Sequence, residues 1–211
     1  MIVISGATGY LGRPLAERLV ARGMAVRAIV RAGSARKLPG AVESIVADPL
    51  AAQEIAPHVP EGASFVHLVG TPRPAPWKGR QFRAVDLPAA LASIEAAGVA
   101  KARHFIYVSV AHPAPVMQAY IDVRTECERA LAASGVRHTI LRPWYVLGEG
   151  RRWPHSLEPL YWLASKAPAW RDTARRLGLV THAQMLAALE WAVDHRPESA
   201  AVLDVPSIKQ F

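Results

Sequence analysis

Short apolar runs alternate with amphipathic helical stretches along most of the chain. The apolar runs that predict strands are residues 1–5, 26–30, 42–47, 63–69, 104–109, 137–142 and 200–205. Helical spacing of apolar side chains covers residues 11–22, 50–56, 82–97, 116–134 and 181–194. Three of these stretches end in a glycine, as a helix C-terminus favours, at Gly23, Gly98 and Gly135.

This alternation predicts parallel strands joined by right-handed helical crossovers. The strands are almost continuously apolar, which indicates a sheet covered by helices on both faces. We therefore predict an α/β fold with a doubly wound, mostly parallel sheet. The 211 residues, 51% of them hydrophobic, suit one domain over 1–211, with a core at 1–148 and a short substrate-side tail at 149–211.

The turn after the first strand holds three glycines at three-residue spacing, Gly6, Gly9 and Gly12. Gly6 would permit a sharp turn, Gly9 would let a pyrophosphate approach the backbone, and Gly12 would let the helix pack close to the sheet. The helix N-terminus would present free N–H groups and a positive dipole end. Glycine-rich turns also serve structure alone, but strand, turn and helix in this order predict a dinucleotide site.

The end of the second strand bears on which dinucleotide is bound. An acidic residue about 20 positions after the glycines usually binds a free ribose, yet none lies between Glu17 and Glu43. The strand ends instead at Arg31, with Arg36 and Lys37 nearby. A guanidinium suits a 2′-phosphate, so we predict NADP, with NAD and a merely solvated Arg31 as the alternatives.

Two further segments follow strands at the carboxyl edge, where such sheets bind ligands. Asp48 and Pro49 come after the third strand, and Asp48 is a candidate both for capping the next helix and for facing the adenine amino group, two roles that are compatible. The proline-rich segment 71–76 comes directly after the fourth strand and predicts a stiff loop.

Composition narrows the class of partner. The net charge of +8 is spread over scattered residues, which argues against a nucleic-acid site.

The presence of a single cysteine, Cys127, is consistent with a protein of a reducing compartment. No basic leader follows Met1, and no apolar run approaches the roughly 20 residues of a membrane span. His155 and His182 have no metal-ligand spacing. We expect a cytoplasmic protein that binds neither metal nor nucleic acid.

The glycine turn and the residues that follow the strands, in this order along the chain, resemble the short-chain dehydrogenase/reductase superfamily. The resemblance is in particular to its atypical epimerase-like and NmrA-like members. The likeness is dense through 1–148 and includes Glu128 and residues 134–135 and 139–143. It implies a Rossmann-like sheet whose loops wrap the cofactor. The contacts implied beyond the glycines, Arg31, Asp48 and Pro49 are Thr8, Tyr10, Leu11, Leu68, Val69, Gly70, Ser109, Tyr120, Arg124, Pro143, Trp144 and Val146.

Catalytic members of this superfamily use a tyrosine as general acid/base, with a lysine four residues later on the same helix face. Tyr120 and Arg124 occupy these positions here. Arginine keeps the charge that favours a phenolate, but it does not relay protons. Ser109 is a candidate for polarising a carbonyl or for touching the cofactor, and His112 for assisting acid/base chemistry.

Two functions are consistent with these residues. Tyr120, together with the aromatic side chains after residue 143, favours an oxidoreductase acting on a small apolar or aromatic substrate. Arginine in place of lysine, and the lack of hydroxyls after Ser109, favour a non-catalytic cofactor-binding sensor or accessory protein. The loop at 148–152 is expected to overhang the nicotinamide. Resembling proteins often pair through the helices at 82–97 and 116–134, which makes these two helices the candidate surface for a homodimer; the sequence does not determine the oligomeric state.

Overall fold

Seven parallel strands form the central sheet of the computed structural model, which describes residues 1–148 and 176–211. Numbered along the described residues, the strands are β1 Ile2–Ser5, β2 Val26–Val30, β3 Glu43–Val46, β4 Ser64–His67, β5 His104–Val108, β6 His138–Leu141, β7 Tyr145–Leu147, β8 Leu179–Thr181 and β9 Ala201–Leu203. The α-helices are α1 Gly12–Ala21, α2 Ala52–Ile55, α3 Gly79–Gln81, α4 Leu87–Val99, α5 Gln118–Ala133, α6 His182–Asp194 and α7 Val205–Ile208.

The strand order is β3-β2-β1-β4-β5-β6-β9, and every neighbouring pair is parallel. The order reverses between β1 and β4, where Ser5 lies opposite His67 at the carboxyl ends of the strands. Open α/β sheets bind ligands at such a switch point. The predicted fold class is therefore confirmed.

A hydrophobic cluster covers each face of the sheet, as the apolar strands predicted. On one face Leu15 and Leu19 of α1 and Met185 of α6 are fully buried with the strands. On the other face Phe65 and Phe105 stack with ring centroids 5.3 Å apart beneath α4 and α5. Fully burying such a side chain contributes about 1.5–3 kcal/mol, so these two clusters fix the sheet on which the site is built.

Two of the three helix-ending glycines occur as predicted. Gly23 and Gly135 have φ of 76° and 72° and follow α1 and α5. The prediction for Gly98 is wrong, because α4 continues through Gly98 to Val99. There the left-handed residue is Lys101, with φ of 52°.

The sequence prediction lacks the short helices α3 and α7 and two further features of the fold. The segment Phe82–Asp86 between α3 and α4 is π-helical rather than α-helical. The strands β7 and β8 form a separate parallel pair, with Tyr145 opposite Leu179. The predictions for loop residues 149–152, for His155 and for the aromatic side chains between residues 149 and 175 lie outside the described residues. Over the part that the structure describes, no helix has the length and apolarity to cross a membrane.

Candidate functional site

The glycine turn after β1 is packed so closely that side chains are excluded from it. Gly6 has φ of +80°, and a Cβ there would lie 2.5 Å from the carbonyl carbon of Leu68. A Cβ on Gly12 would lie 2.2 Å from the carbonyl oxygen of Gly6. The first and third glycines therefore bring α1 and the segment after β4 against the turn. Gly9 is exposed, and its N–H donates to the Gly6 oxygen at 3.0 Å.

The start of α1 offers backbone donors for an anion. Over residues 1–148 and 176–211, the N–H groups of Leu11 and Gly12 donate to no protein acceptor. The helix has ten residues, so its dipole adds positive potential at this end. Free N–H groups, a helix N-terminus and a turn without side chains are the features that bind a pyrophosphate. The residues of this turn fit a dinucleotide.

The carboxyl end of β2 carries cations that lack acidic partners. Arg31, Arg36 and Lys37 are exposed, and none of them forms an ion pair within the described part of the chain. On the same strand, by contrast, Arg27 pairs with Glu43 at 2.9 Å. The charge at the strand end is therefore available to an anionic ligand.

Asp48 does not cap the helix that follows it, so that prediction is wrong. The helix α2 begins later than predicted, and its N-cap residue is Ala51. The Asp48 carboxylate accepts instead from the N–H of Leu50 at 2.9 Å, and Glu54 accepts from the N–H of Asp48. Asp48 is exposed and the adjacent Pro49 is buried. The carboxylate is thus held at the strand end by its own turn.

The side chain of Arg124 is buried and paired with a residue that sequence analysis missed. Its Nη2 donates to Oδ1 of Asp86 at 2.8 Å, and its Nη1 donates to the Tyr107 hydroxyl and to the Val108 carbonyl, both at 3.1 Å. The other oxygen of Asp86 accepts from the N–H and the hydroxyl of Thr71. The pair therefore joins α5 to the loop after β4.

Gly70 lies directly over this ion pair. A Cβ at Gly70 would be 2.8 Å from Nη2 of Arg124 and 3.0 Å from Oδ1 of Asp86. Burial disfavours the charged guanidinium, but Tyr107, Tyr120 and Asp86 together raise the pKa of Arg124 above its ordinary value. Arg124 therefore stays charged, and most of its donors already have acceptors.

Tyr120 lies one helical turn before Arg124, as predicted, and the two side chains are in contact. The guanidinium carbon is 4.8 Å from the centroid of the Tyr120 ring, within the range of a cation–π interaction. The ring also packs against Phe82, with centroids 4.8 Å apart. Arg124 thus contacts the ring face of Tyr120, and it is Tyr107 whose hydroxyl accepts from it.

Ser109 belongs to a second polar cluster. Its hydroxyl donates to Glu128 at 2.5 Å, and Arg142 donates to both oxygens of the same carboxylate. Nε2 of His112 lies 3.6 Å from Glu128. Ser109 is buried, and its hydroxyl hydrogen is used in this cluster. The structure therefore joins Ser109 to Glu128 and Arg142, two residues to which sequence analysis assigned no role.

The glycine turn after β1, called the phosphate turn below, is connected to the tail through Tyr10. His182, the first residue of α6, lies with Nε2 3.0 Å from the Tyr10 carbonyl oxygen, and the two rings are 4.5 Å apart. A Cβ at Gly148 would overlap the Tyr10 hydroxyl. The predicted contact residues of this region are a buried Pro143 and the half-buried Trp144 and Val146. The β7–β8 pair thus lies against the turn.

Buried polar groups hydrogen-bond to one another under the switch point. His67 is buried, and its Nδ1 lies within 3.0 Å of the hydroxyls of Ser5 and Ser93. Burial, together with the charge of Arg124, lowers its pKa to about 3, so the ring is neutral at physiological pH. Among residues 1–148 and 176–211 there is no group of three or more side chains able to hold a metal ion.

Comparison with known proteins identifies the family of the domain. A family model described as NAD(P)H-binding matches residues 6–153. A ceramide reductase of Caulobacter vibrioides is 30% identical over 152 residues, which are 71% of this chain and 47% of that protein. A chloroplastic divinyl chlorophyllide a 8-vinyl-reductase of Zea mays is 27% identical over 163 residues, which are 67% of this chain and 39% of that protein. The chain spans less than half the length of these relatives.

Solved structures share the fold at low identity. The Bordetella bronchiseptica enzyme WbmH in complex with NAD+ superimposes with a TM-score of 0.70 at 16% identity, covering 96% of this chain and 74% of that one. The likeness extends over the seven-stranded sheet and its helices.

Proposed function

The chain belongs to the NAD(P)H-binding family, and we propose that it is an NADP(H)-dependent oxidoreductase of the short-chain dehydrogenase/reductase superfamily, acting on an apolar carbonyl or unsaturated compound. The observation that carries the proposal is a continuous series of contacts. Gly6 packs against the segment after β4, Gly70 of that segment covers Arg124, and Arg124 lies against the ring of Tyr120. The phosphate turn and the candidate proton donor thus belong to one packed unit.

Each part of this unit has a proposed role toward the cofactor. The N–H groups of Leu11 and Gly12 would bind the pyrophosphate, and Asp48 would face the adenine. When bound, the reduced nicotinamide supplies a hydride. Arg31 would bind the 2′-phosphate, since its guanidinium has no acidic partner within the described residues.

Tyr120 is the proposed proton donor. Its phenol would donate a proton to the substrate atom that becomes basic on reduction. Arg124 remains charged throughout and exchanges no proton, because Asp86, Tyr107 and the Val108 carbonyl hold it. Its part is to fix the Tyr120 ring and to supply positive potential. The tail at 149–211 would complete the substrate side of the same domain.

A second function has its own support. The Arg124 donors are largely occupied, and Ser109 is bound to Glu128. Both observations favour a cofactor-binding protein without catalysis. The two matched relatives are both reductases by name, which favours the enzyme.

Cofactor preference is tested by replacing Arg31, which directly follows β2, and Arg27, which lies within β2. We expect NADPH to bind more tightly than NADH, and Arg31→Ala to reduce that preference about tenfold or more, because a charge-assisted contact to phosphate contributes about 1.5–3 kcal/mol. Arg27→Ala is the matched control, since Arg27 already pairs with Glu43. Equal affinities for both cofactors in the wild-type protein would contradict the assignment.

Catalysis is tested by turnover of NADPH with a panel of apolar aldehydes, ketones, quinones and conjugated alkenes. Tyr120→Phe should abolish turnover and leave NADPH affinity within about twofold, since the ring and its contact with Arg124 remain. Turnover that survives this substitution would exclude Tyr120 as proton donor. Binding without turnover of any compound would favour the sensor.

A further inference from the structure

The loop that connects β4 to α3 is braced by prolines and by a side-chain hydrogen bond. Pro72, Pro74 and Pro76 restrict its backbone, and Lys78 Nζ donates to the Pro72 carbonyl at 2.7 Å. Its last turn, Pro76–Lys78, packs against the start of α5, where a Cβ on Gly79 would lie 3.2 Å from Cβ of Ala119. These prolines and contacts restrict the backbone of the loop at the carboxyl edge of the sheet.

This braced loop holds Trp77 out into solvent. The residue is 83% exposed, the largest fraction for any large hydrophobic residue in the described part of the chain. Val116, which is 52% exposed, precedes α5 at the same edge. An indole that this loop keeps in water forgoes the free energy of burying its apolar surface, which a partner surface would recover.

Cations accompany Trp77 along the loop. Arg73, Lys78 and Arg80 lie within four residues of it, and the sequence has no acidic residue between Glu61 and Asp86. Asp86 itself is buried against Arg124.

Two carboxylates lie one helical turn apart on α5. Glu126 is engaged with Arg83 at 3.4 Å, and Asp122 is exposed. The loop therefore presents an indole amid a positive excess.

We propose that this loop, with Trp77 at its tip, is a docking surface for an anionic lipid membrane. A tryptophan ring prefers the interface between headgroups and acyl chains, and each nearby Lys or Arg is attracted by anionic lipids. The net charge of +8 adds a long-range attraction of the same sign. The surface lies at the edge of the sheet that carries the cofactor site, so docking would present that site to a compound dissolved in the bilayer.

The substrate part of this inference rests on the proposed function, whereas the docking itself does not. The test is sedimentation of the full chain with sucrose-loaded vesicles of phosphatidylcholine containing 30% phosphatidylserine. We expect binding that falls as salt is raised and that is much weaker to pure phosphatidylcholine. Trp77→Ser and Arg80→Glu should each weaken it about tenfold or more.

Arg137→Glu is the matched control, because it makes the same charge change at an exposed residue directly before β6, at the opposite, amino edge of the sheet. It should lower binding far less than Arg80→Glu. Failure to bind anionic vesicles overturns the proposal. Equal loss of vesicle binding in Arg80→Glu and Arg137→Glu also overturns the proposal and points to general electrostatic attraction. Dissociation of a dimer by Trp77→Ser overturns it as well and points to self-association. NADPH affinity of the Trp77 variant, measured alongside, should be unchanged, so loss of docking is distinguishable from failure of the cofactor site.

Discussion

The buried ion pair between Asp86 and Arg124 makes the sharpest prediction about stability. Asp86→Ala removes the carboxylate that accepts from Arg124 at 2.8 Å and from the N–H of Thr71 at 2.9 Å. Both members of the pair are almost completely buried, with side-chain exposures of 6% and 0%. The substitution would leave a charged guanidinium inside the protein without its counter-ion.

The expected loss of unfolding free energy follows from the burial of this pair. Breaking a buried ion pair by removing one partner destabilises a protein by about 3–5 kcal/mol. In a chain of this length each 1 kcal/mol lowers the melting temperature by about 2–4 °C, so we expect a fall of roughly 6–20 °C. The exposed pair of Arg22 and Asp194 at 2.7 Å provides the control. There Asp194→Ala should cost about 1 kcal/mol or less.

Urea unfolding followed by circular dichroism measures both variants, and an unchanged m value shows that the midpoint reports stability. A double variant, Asp86→Ala with Arg124→Met, should recover part of the loss, because no unpaired charge then remains buried. Our interpretation of the pair is refuted if Asp86→Ala costs no more than Asp194→Ala. It is equally refuted if removing both charges is as harmful as removing the acid alone.

Further predictions concern acid sensitivity and the phosphate turn. His67 has a pKa of about 3 in the folded protein, because of burial and the charge of Arg124, against 6.5 without them. Protonation therefore favours the unfolded chain as pH falls from about 6.5 toward 3, and stability should fall across that window. In His67→Gln the urea midpoint should depend less on pH between 7 and 4, and an unchanged slope would argue against a neutral buried ring. Gly12→Ala should abolish NADPH binding, as measured by quenching of cofactor fluorescence, because its Cβ would lie 2.2 Å from a backbone oxygen. Gly40→Ala is the control, with no atom within 4 Å of the added carbon, and equal binding by the two variants would contradict the packing argument.

The central sheet and the first turn could be predicted because their signals are local. Apolar runs of five to seven residues mark the buried strands, and the glycines fall between a strand and a helix in sequence. Arg31 could be identified as a candidate for the same reason, since it ends a strand whose neighbours in sequence hold no acid.

The polar contacts of the site could not be predicted because they join distant positions. Asp86 and Arg124 are 38 residues apart, and Ser109 and Glu128 are 19 apart. No periodic pattern reports which side chains will meet across the carboxyl edge of a sheet. The one local signal for Asp86 was the absence of other acids from Gly62 to Val85, which leaves it as the first carboxylate after β4.

The strands β7 and β8 were missed for a different reason. Each has three residues, too few to show an alternating pattern, and their pairing depends on residues 34 positions apart such as Tyr145 and Leu179. The π-helical turn before α4 was also missed, because its apolar spacing is close to that of an α-helix.

Isothermal titration of the full chain with NADPH and, separately, with NADH at low ionic strength tests the central claim most directly. We predict one site per chain for the phosphorylated cofactor and an affinity for it at least about tenfold above that for NADH, as charge-assisted contacts from Arg31 would give. Heat changes no larger than those of dilution for both cofactors would contradict the account.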